Sequence, residues 1–304
     1  MADLLLRLVM VLRGVFLLFC VLFSGQARSE SVWIALSGNE TAYNEVAEAL
    51  RAALPVDDVR IGNWSEFNFK LSAPRILVTI GGEALRKLHQ SAGKTRIVAA
   101  LTPRSTLDEY CDTSPGRLTG VYFEQPFYRL AMLLRAAFPE RTRVGLVLGP
   151  TSARYRNEIA LSLRRVGMEA VFETIQDQAG LPDAVQSVLP NADVFLALPD
   201  AEAINNQTAK FILLASYRRG IPVVGYSSSF VRAGAALAMV TSPTQIGRET
   251  AKLVAESLSG KTLPEPRAPE EFEILVNASV SRSLGLGLNA SMLTRKLNGS
   301  GGER

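Results

Sequence analysis

The feature that most constrains this chain is a repeated alternation. Short, continuous apolar runs of strand length are followed by segments whose apolar residues recur at helical spacing, and the pattern continues almost throughout. A run with no polar alternation must be covered on both faces, so the pattern predicts parallel sheets connected by crossover helices. Val32–Leu36 reads as the first strand, and Tyr43, Val46, Ala47, Leu50 and Leu54 mark one face of the helix after it. Ile76–Ile80 and residues 97–101 read as buried strands, with Ala84, Leu85 and Leu88 opening the helix between them. Residues 118–123 read as a strand crossing to a second lobe, followed by a helix with Phe127, Leu130, Leu134 and Phe138 on one side. The alternation then restarts. Strands are expected at residues 144–148, 194–198 and 223–226, with helices marked by Tyr155, Ile159 and Val166 and by Ile204, Phe211 and Ile212. A single core rarely grows past about 250–300 residues. The 304 residues therefore suit an α/β architecture of two Rossmann-like lobes with parallel sheets joined by a hinge.

Toward the end, Ser242-Pro243-Thr244-Gln245 forms a capping box that opens a long helix, and Gly260 closes it. Residues 272–276 read as a last strand. The Gly- and Ser-rich tail, residues 291–304, is expected to be disordered.

Residues 1–27 have the layout of a secretory signal peptide: Arg7 and Arg13, an unbroken apolar run from Val15 to Phe23, and small residues before a cut after Ala27. The apolar run falls short of the ~20 residues that span a bilayer, which disfavours an uncleaved anchor. Phe19, directly before Cys20, disfavours a lipid-modified cysteine. The mature protein is thus expected in the periplasm, soluble and monomeric. Without Cys20, Cys111 stands alone, so neither an intrachain disulfide nor a metal site follows from cysteine.

The net charge of +4 is spread over scattered Lys and Arg residues without a basic run, which excludes a nucleic-acid partner. Enzyme signatures are missing. His89, the sole histidine, reads as a surface helix residue. Gly225-Tyr226-Ser227-Ser228-Ser229 falls one residue short of a nucleophile elbow. Gly260-Lys261-Thr262 follows a helix where a phosphate loop would open one. No dinucleotide fingerprint follows the first strand, and no His, Cys or carboxylate spacing suggests a metal, so no cofactor is expected. An exported hydrolase or sugar-modifying enzyme is correspondingly disfavoured.

What remains is a set of small, hydroxyl and aromatic residues where strands end and helices begin, the place where open α/β sheets bind ligands. Ser37, Gly38, Gly81, Gly82, Thr102, Thr151, Ser152 and Ser227 are the small and hydroxyl candidates. Each reads equally as a cap or turn residue, but their repetition in both halves points to helix N-termini arranged around an anion. Asp200 stands after the 194–198 strand, where it either meets a ligand ammonium or caps a helix. Tyr122, Tyr155 and Tyr226 are placed to stack on a ligand or to pack at the lobe edges.

Several segments together resemble the ABC-transporter substrate-binding family that includes tryptophan and tyrosine receptors. They are Leu118-Thr119-Gly120-Val121, Leu130 to Pro139, Arg143-Val144-Gly145-Leu146-Val147, Ile221-Pro222-Val223-Val224 with Val231-Arg232-Ala233-Gly234-Ala235, Ile246-Gly247-Arg248, Leu258-Ser259-Gly260-Lys261, Phe272-Glu273-Ile274-Leu275-Val276-Asn277 and Leu284-Gly285-Leu286. The resemblance spans roughly residues 75–288. It implies a type I periplasmic-binding fold whose lobes close like a hinge. It also implies three crossings: residues 28–123 form the first lobe with 237–260 returning to it, and residues 124–236 form the second with 261–290 returning to it. By the same resemblance Asp200 contacts the ligand, Thr151 and Ser152 form a polar loop, and Gly81 and Gly82 start a first-lobe helix. Glu83, Gly149 and Thr241-Ser242-Pro243 depart from the family's usual residues. The implied function is capture of an amino acid or related carboxylate for a membrane permease. The alternative is a sensor subunit that signals to a membrane kinase or cyclase with the same fold.

Overall fold

The computed structural model describes residues 32–205 and 207–300. The expected signal segment, with Cys20, and the last four residues lie outside the described residues. Among those described, two sheets form. The first is built from β1 (Val32–Leu36), β2 (Val59–Asn63), β3 (Ile76–Ile80), β4 (Arg96–Thr102) and β5 (Leu118–Tyr122). Its spatial order is β2-β1-β3-β4-β5, and every neighbouring pair is parallel. The second contains β6 (Arg143–Leu148), β7 (Glu169–Thr174), β8 (Val194–Leu196), β9 (Val223–Gly225), β10 (Leu237–Val240) and β11 (Glu273–Val276). Its order is β11-β10-β9-β8-β6-β7, parallel except for the antiparallel β10–β11 pair.

The continuous apolar runs are explained by burial on both faces. Side chains alternate across a strand, so Val32 and Ile34 enter one core while Trp33 and Ala35 enter another. The first core includes Val46 and Leu50 of α1 (Thr41–Ala53), and the second includes Leu85 of α2 (Gly82–Leu88) and Leu107 of α3 (Arg104–Asp112). The second sheet is covered in the same way. One side packs on α4 (Phe127–Ala137) and α5 (Arg156–Arg165); the other packs on α6 (Leu181–Val188), α7 (Ala209–Tyr217) and α8 (Ser228–Ala233). The pattern names no strand at β2, β7 or β10; of these, β2 and β7 are the outermost strands of their sheets. They are half-exposed and carry Arg60, Asn63, Glu169 and Glu173, so they show no apolar run.

Three expectations are corrected. The strand at 237–240 does not return to the first lobe, because β10 pairs with β9 and β11 in the second sheet. The return begins with α9 (Pro243–Leu258), whose Ile246, Val254 and Leu258 join the core of β1 and α1. The chain then stays with the first lobe to Arg267, which bridges to Val121, and only afterwards crosses to β11. After α10 (Ala278–Ser283), the tail expected to be disordered is ordered through residue 300 as α11 (Ala290–Ser300), with Leu293 and Leu297 buried in the second lobe. Its apolar residues at helical spacing outweigh its Gly and Ser content. His89 is not a surface residue but buried: its Nε2 lies 2.8 Å from the Ser114 hydroxyl and 3.0 Å from Arg117 Nη2. Burial, then the Arg117 charge, pushes its pKa down and keeps the ring neutral.

The three crossings are tied to one another. Gln125 Nε2 in the first donates to Thr241 Oγ1 in the second at 2.7 Å, and that hydroxyl donates to the Glu271 carbonyl in the third at 2.7 Å. Arg129 Nη1 braces the set, donating to Gln125 Oε1 at 2.8 Å and to the Pro269 carbonyl at 2.9 Å.

Candidate functional site

A cleft of about 690 Å³, a volume that includes space open to solvent, lies between the lobes at the carboxyl ends of the strands. Arg104 and Ser105 of α3, with Phe123 and Glu124 of the first crossing, form the first-lobe wall. Thr151, Ser152, Tyr155 and Tyr226 line the second-lobe wall, over an apolar floor that includes Leu198 and Met239. Four sequence candidates thus meet in the cleft: Thr151, Ser152, Tyr155 and Tyr226. Tyr122 stands beside it, its ring 5.8 Å from the Arg104 guanidinium. The others lie outside these walls. Ser37 Oγ accepts from the Ala84 N–H at 2.9 Å and so caps α2, while Gly38 follows in the bend before α1. Gly81 adopts a left-handed turn (φ +86°) in which a Cβ would sit 2.5 Å from Ser37 Oγ, and Gly82 is the first residue of α2. Thr102 donates to the Ala100 carbonyl, and Ser227 Oγ caps α8 by accepting from Phe230 N–H.

Asp200 is buried beneath the second-lobe wall. Its Oδ2 accepts the N–H and hydroxyl of Thr151, at 3.2 and 2.7 Å, and those of Ser152, both at 2.8 Å. Its Oδ1 accepts Glu202 N–H at 3.0 Å and Ala203 N–H at 3.2 Å. Burial opposes its charge, but these donors win and hold its carboxyl below the usual range. Gly149 makes room for this carboxylate, because a Cβ there would sit 2.1 Å from Oδ1. Asp200 therefore staples the loop after β6 to the loop after β8, with its oxygens occupied by donors of the chain itself.

The first-lobe wall carries a second, half-buried carboxylate, Glu124, which sequence reasoning missed. Arg104 N–H, the first of α3, donates to Glu124 Oε1 and Oε2 at 3.1 and 3.0 Å. Here burial dominates the few hydrogen bonds, and the carboxyl is pushed up to about 7. Arg104 was missed as well. Its guanidinium reaches across the cleft to both oxygens of Glu158 on α5, each at 3.1 Å, and lies 3.9 Å from Asp108. It also lies 4.7 Å from the Tyr155 ring and 5.7 Å from that of Phe127. Tyr155 completes the latch by donating its hydroxyl to Asp108 Oδ2 at 2.6 Å. Burial and then that bond raise the Tyr155 pKa, so the phenol stays protonated. Nothing local in the sequence marks Arg104 or Glu124; they meet because β4 and β5 are neighbours in the sheet.

The lone described cysteine, Cys111, is half-buried with its thiol pushed up to about 11 by burial, and His89 lies outside the cleft walls. Among the described residues no cluster of metal-ligating side chains forms, and no helix is long and apolar enough to cross a membrane.

The model of the ABC transporter substrate binding protein family matches residues 66–298. The chain belongs to that family. As a substrate-binding protein it binds a small molecule for a membrane transporter and is not an enzyme. Solved structures agree on the fold. A conserved domain protein from Vibrio cholerae is 21% identical, covering 88% of this chain and 98% of its own, with a TM-score of 0.63. The ABC domain in complex with L-Trp from Streptococcus pneumonia is 16% identical over 88% and 98%, with a TM-score of 0.62. A substrate binding protein with adhesive properties from Clostridium difficile, in its ligand-free, open structure, is 14% identical over 86% and 96%, with a TM-score of 0.65. No curated protein sequence matches the chain. With a periplasmic ribose ABC transporter protein and a solute binding protein in complex with D-arabinose also among its structural neighbours, the substrate-binding protein has the type I periplasmic-binding fold.

Proposed function

We propose that this substrate-binding protein is exported to the periplasm by its N-terminal segment, acts there as a monomer, and captures a small organic solute for a membrane permease. The solute class is the amino acids and related compounds. The observation that carries this reading is the cleft: about 690 Å³, walled by both lobes at the carboxyl ends of their strands, with an apolar floor and rings at its rim. An apolar floor with a few placed polar groups is the lining of a small-molecule site. The L-Trp bound by the Streptococcus pneumonia protein supports an amino acid with a large apolar side chain. Thr151, Ser152, Tyr155 and Tyr226 contribute to the wall that meets it. A melting-temperature screen over amino acids and their analogues tests the reading. A ligand at a hundredfold excess over its dissociation constant stabilises the protein by about 2.7 kcal/mol. A screen in which no member raises the melting temperature would count against solute capture.

A further inference from the structure

Most polar groups of the cleft wall, the Ser105 side chain apart, are already engaged within the chain. On the second lobe, the N–H and hydroxyl groups of Thr151 and Ser152 all donate to Asp200. The Tyr226 hydroxyl donates to the Ile204 carbonyl, and that of Tyr155 to Asp108. In the first crossing, the Gln125 amide donates to Thr241 and accepts from Arg129. Arg104, the one cationic residue lining the cleft among the described residues, is engaged by both oxygens of Glu158. Its α3 N-terminus already faces the carboxyl group of Glu124. A ligand carboxylate would find most of its natural partners taken, and at both helix starts it would meet a carboxylate of the chain itself. Glu124 differs from the other groups. A carboxylate offers about four acceptor sites, and Glu124 meets only two donors, the Arg104 N–H and its own backbone N–H. Its spare capacity lines a cleft whose rings, Phe127 and Tyr155, already hold one guanidinium.

We propose that the cleft recognises its ligand through a cationic amine, received by the Glu124 carboxylate beside the aromatic rims of the two lobes, and does not recognise a free carboxylate. The inference rests on the capture reading above and narrows its ligand class to compounds that carry an ammonium group. Glu124 thereby takes the ammonium-holding role that the position of Asp200 after a strand suggested for that residue.

The test is a matched series on one frame: 2-phenylethylamine, phenylalanine and 3-phenylpropionate, titrated calorimetrically against the protein and its Glu124→Gln variant. The expected result is that the amine and the amino acid bind within tenfold of each other, while the propionate binds at least a hundredfold more weakly. In Glu124→Gln the two amines lose at least tenfold. A second readout needs no variant. Between pH 8 and pH 6 the affinity for the amine falls as Glu124 takes up a proton. The groups that act on this titration are Arg104 and Asp108 of α3 and Tyr122 of β5. Tight binding of the propionate, or equal binding of the amines by both proteins with no dependence on pH, overturns the proposal and leaves solute capture standing. Binding of none of the three overturns the amine proposal, while solute capture stands or falls with the melting-temperature screen.

Discussion

Two carboxylates flank the same cleft from opposite lobes, Asp200 buried beneath one wall and Glu124 half-buried in the other, and they have opposite electrostatic fates. Asp200 accepts six hydrogen bonds and is held below the usual carboxylate range; Glu124 accepts far fewer and is pushed up to about 7. Both lose water, so desolvation alone does not separate them. The difference lies in how many fixed donors replace the lost solvent. A carboxylate so fully satisfied acts as structure, and one left partly unsatisfied retains capacity for a ligand.

The comparison breaks most severely if the donor-rich member is removed. Asp200→Ala leaves the N–H and hydroxyl groups of Thr151 and Ser152 without their acceptor, and denaturant unfolding should show a loss of about 4 kcal/mol. The Glu124 side of the comparison is sharpened by pH. Its folded pKa is raised from 4.5 to about 7, so between these values the folded chain holds a proton that the unfolded chain has released. Stability therefore falls as pH rises through that window, by about 3 kcal/mol in all. Unfolding followed from pH 4.5 to 7.5 should show this decline, and Glu124→Gln should flatten it. A smaller effect is expected from Gly149→Ala, whose new methyl group displaces the Asp200 carboxylate; a loss of about 2 kcal/mol in chemical denaturation would match the overpacking. The smallest concerns the ties between the two walls. The Arg104–Glu158 pair is partly exposed, so Arg104→Ala should change stability by under about 1 kcal/mol. It should nevertheless raise the radius of gyration measured by X-ray scattering, because the lobes lose their own latch.

The parts of this molecule that could be read in the sequence are those set by local pattern. The buried strands were legible because both faces of β1, β3 and β4 are covered, which leaves an uninterrupted apolar run. The capping box at Ser242 and Gln245 forms as expected, with each side chain bonded to the other's backbone. The lobe to which residues 237–240 belong was not legible, because the return to the first lobe was placed by resemblance at 237 and nothing local marks the strand pairing that puts them in the second sheet. The site divides along the same line. Thr151, Ser152, Tyr155 and Tyr226 follow directly after strands, and their place on the cleft could be inferred from that position. Arg104 and Glu124 acquire their roles from one backbone hydrogen bond across neighbouring strand ends and one ion pair across the cleft, contacts spanning 20 and 54 positions. His89 misled for a similar reason: its partners Ser114 and Arg117 lie on a distant loop, and a helical histidine flanked by Lys87 and Gln90 looks solvated.

The cross-tied linkers have a mechanical consequence. Three independent strands of chain would let one half of the molecule swivel as well as swing. Here Gln125, Thr241 and Glu271 are joined in a row by hydrogen bonds, and a twist that separates any two linkers must break one of them. Motion is thereby channelled into bending about a single spine, as with pages bound along one edge, and the two walls come together each time in the same register.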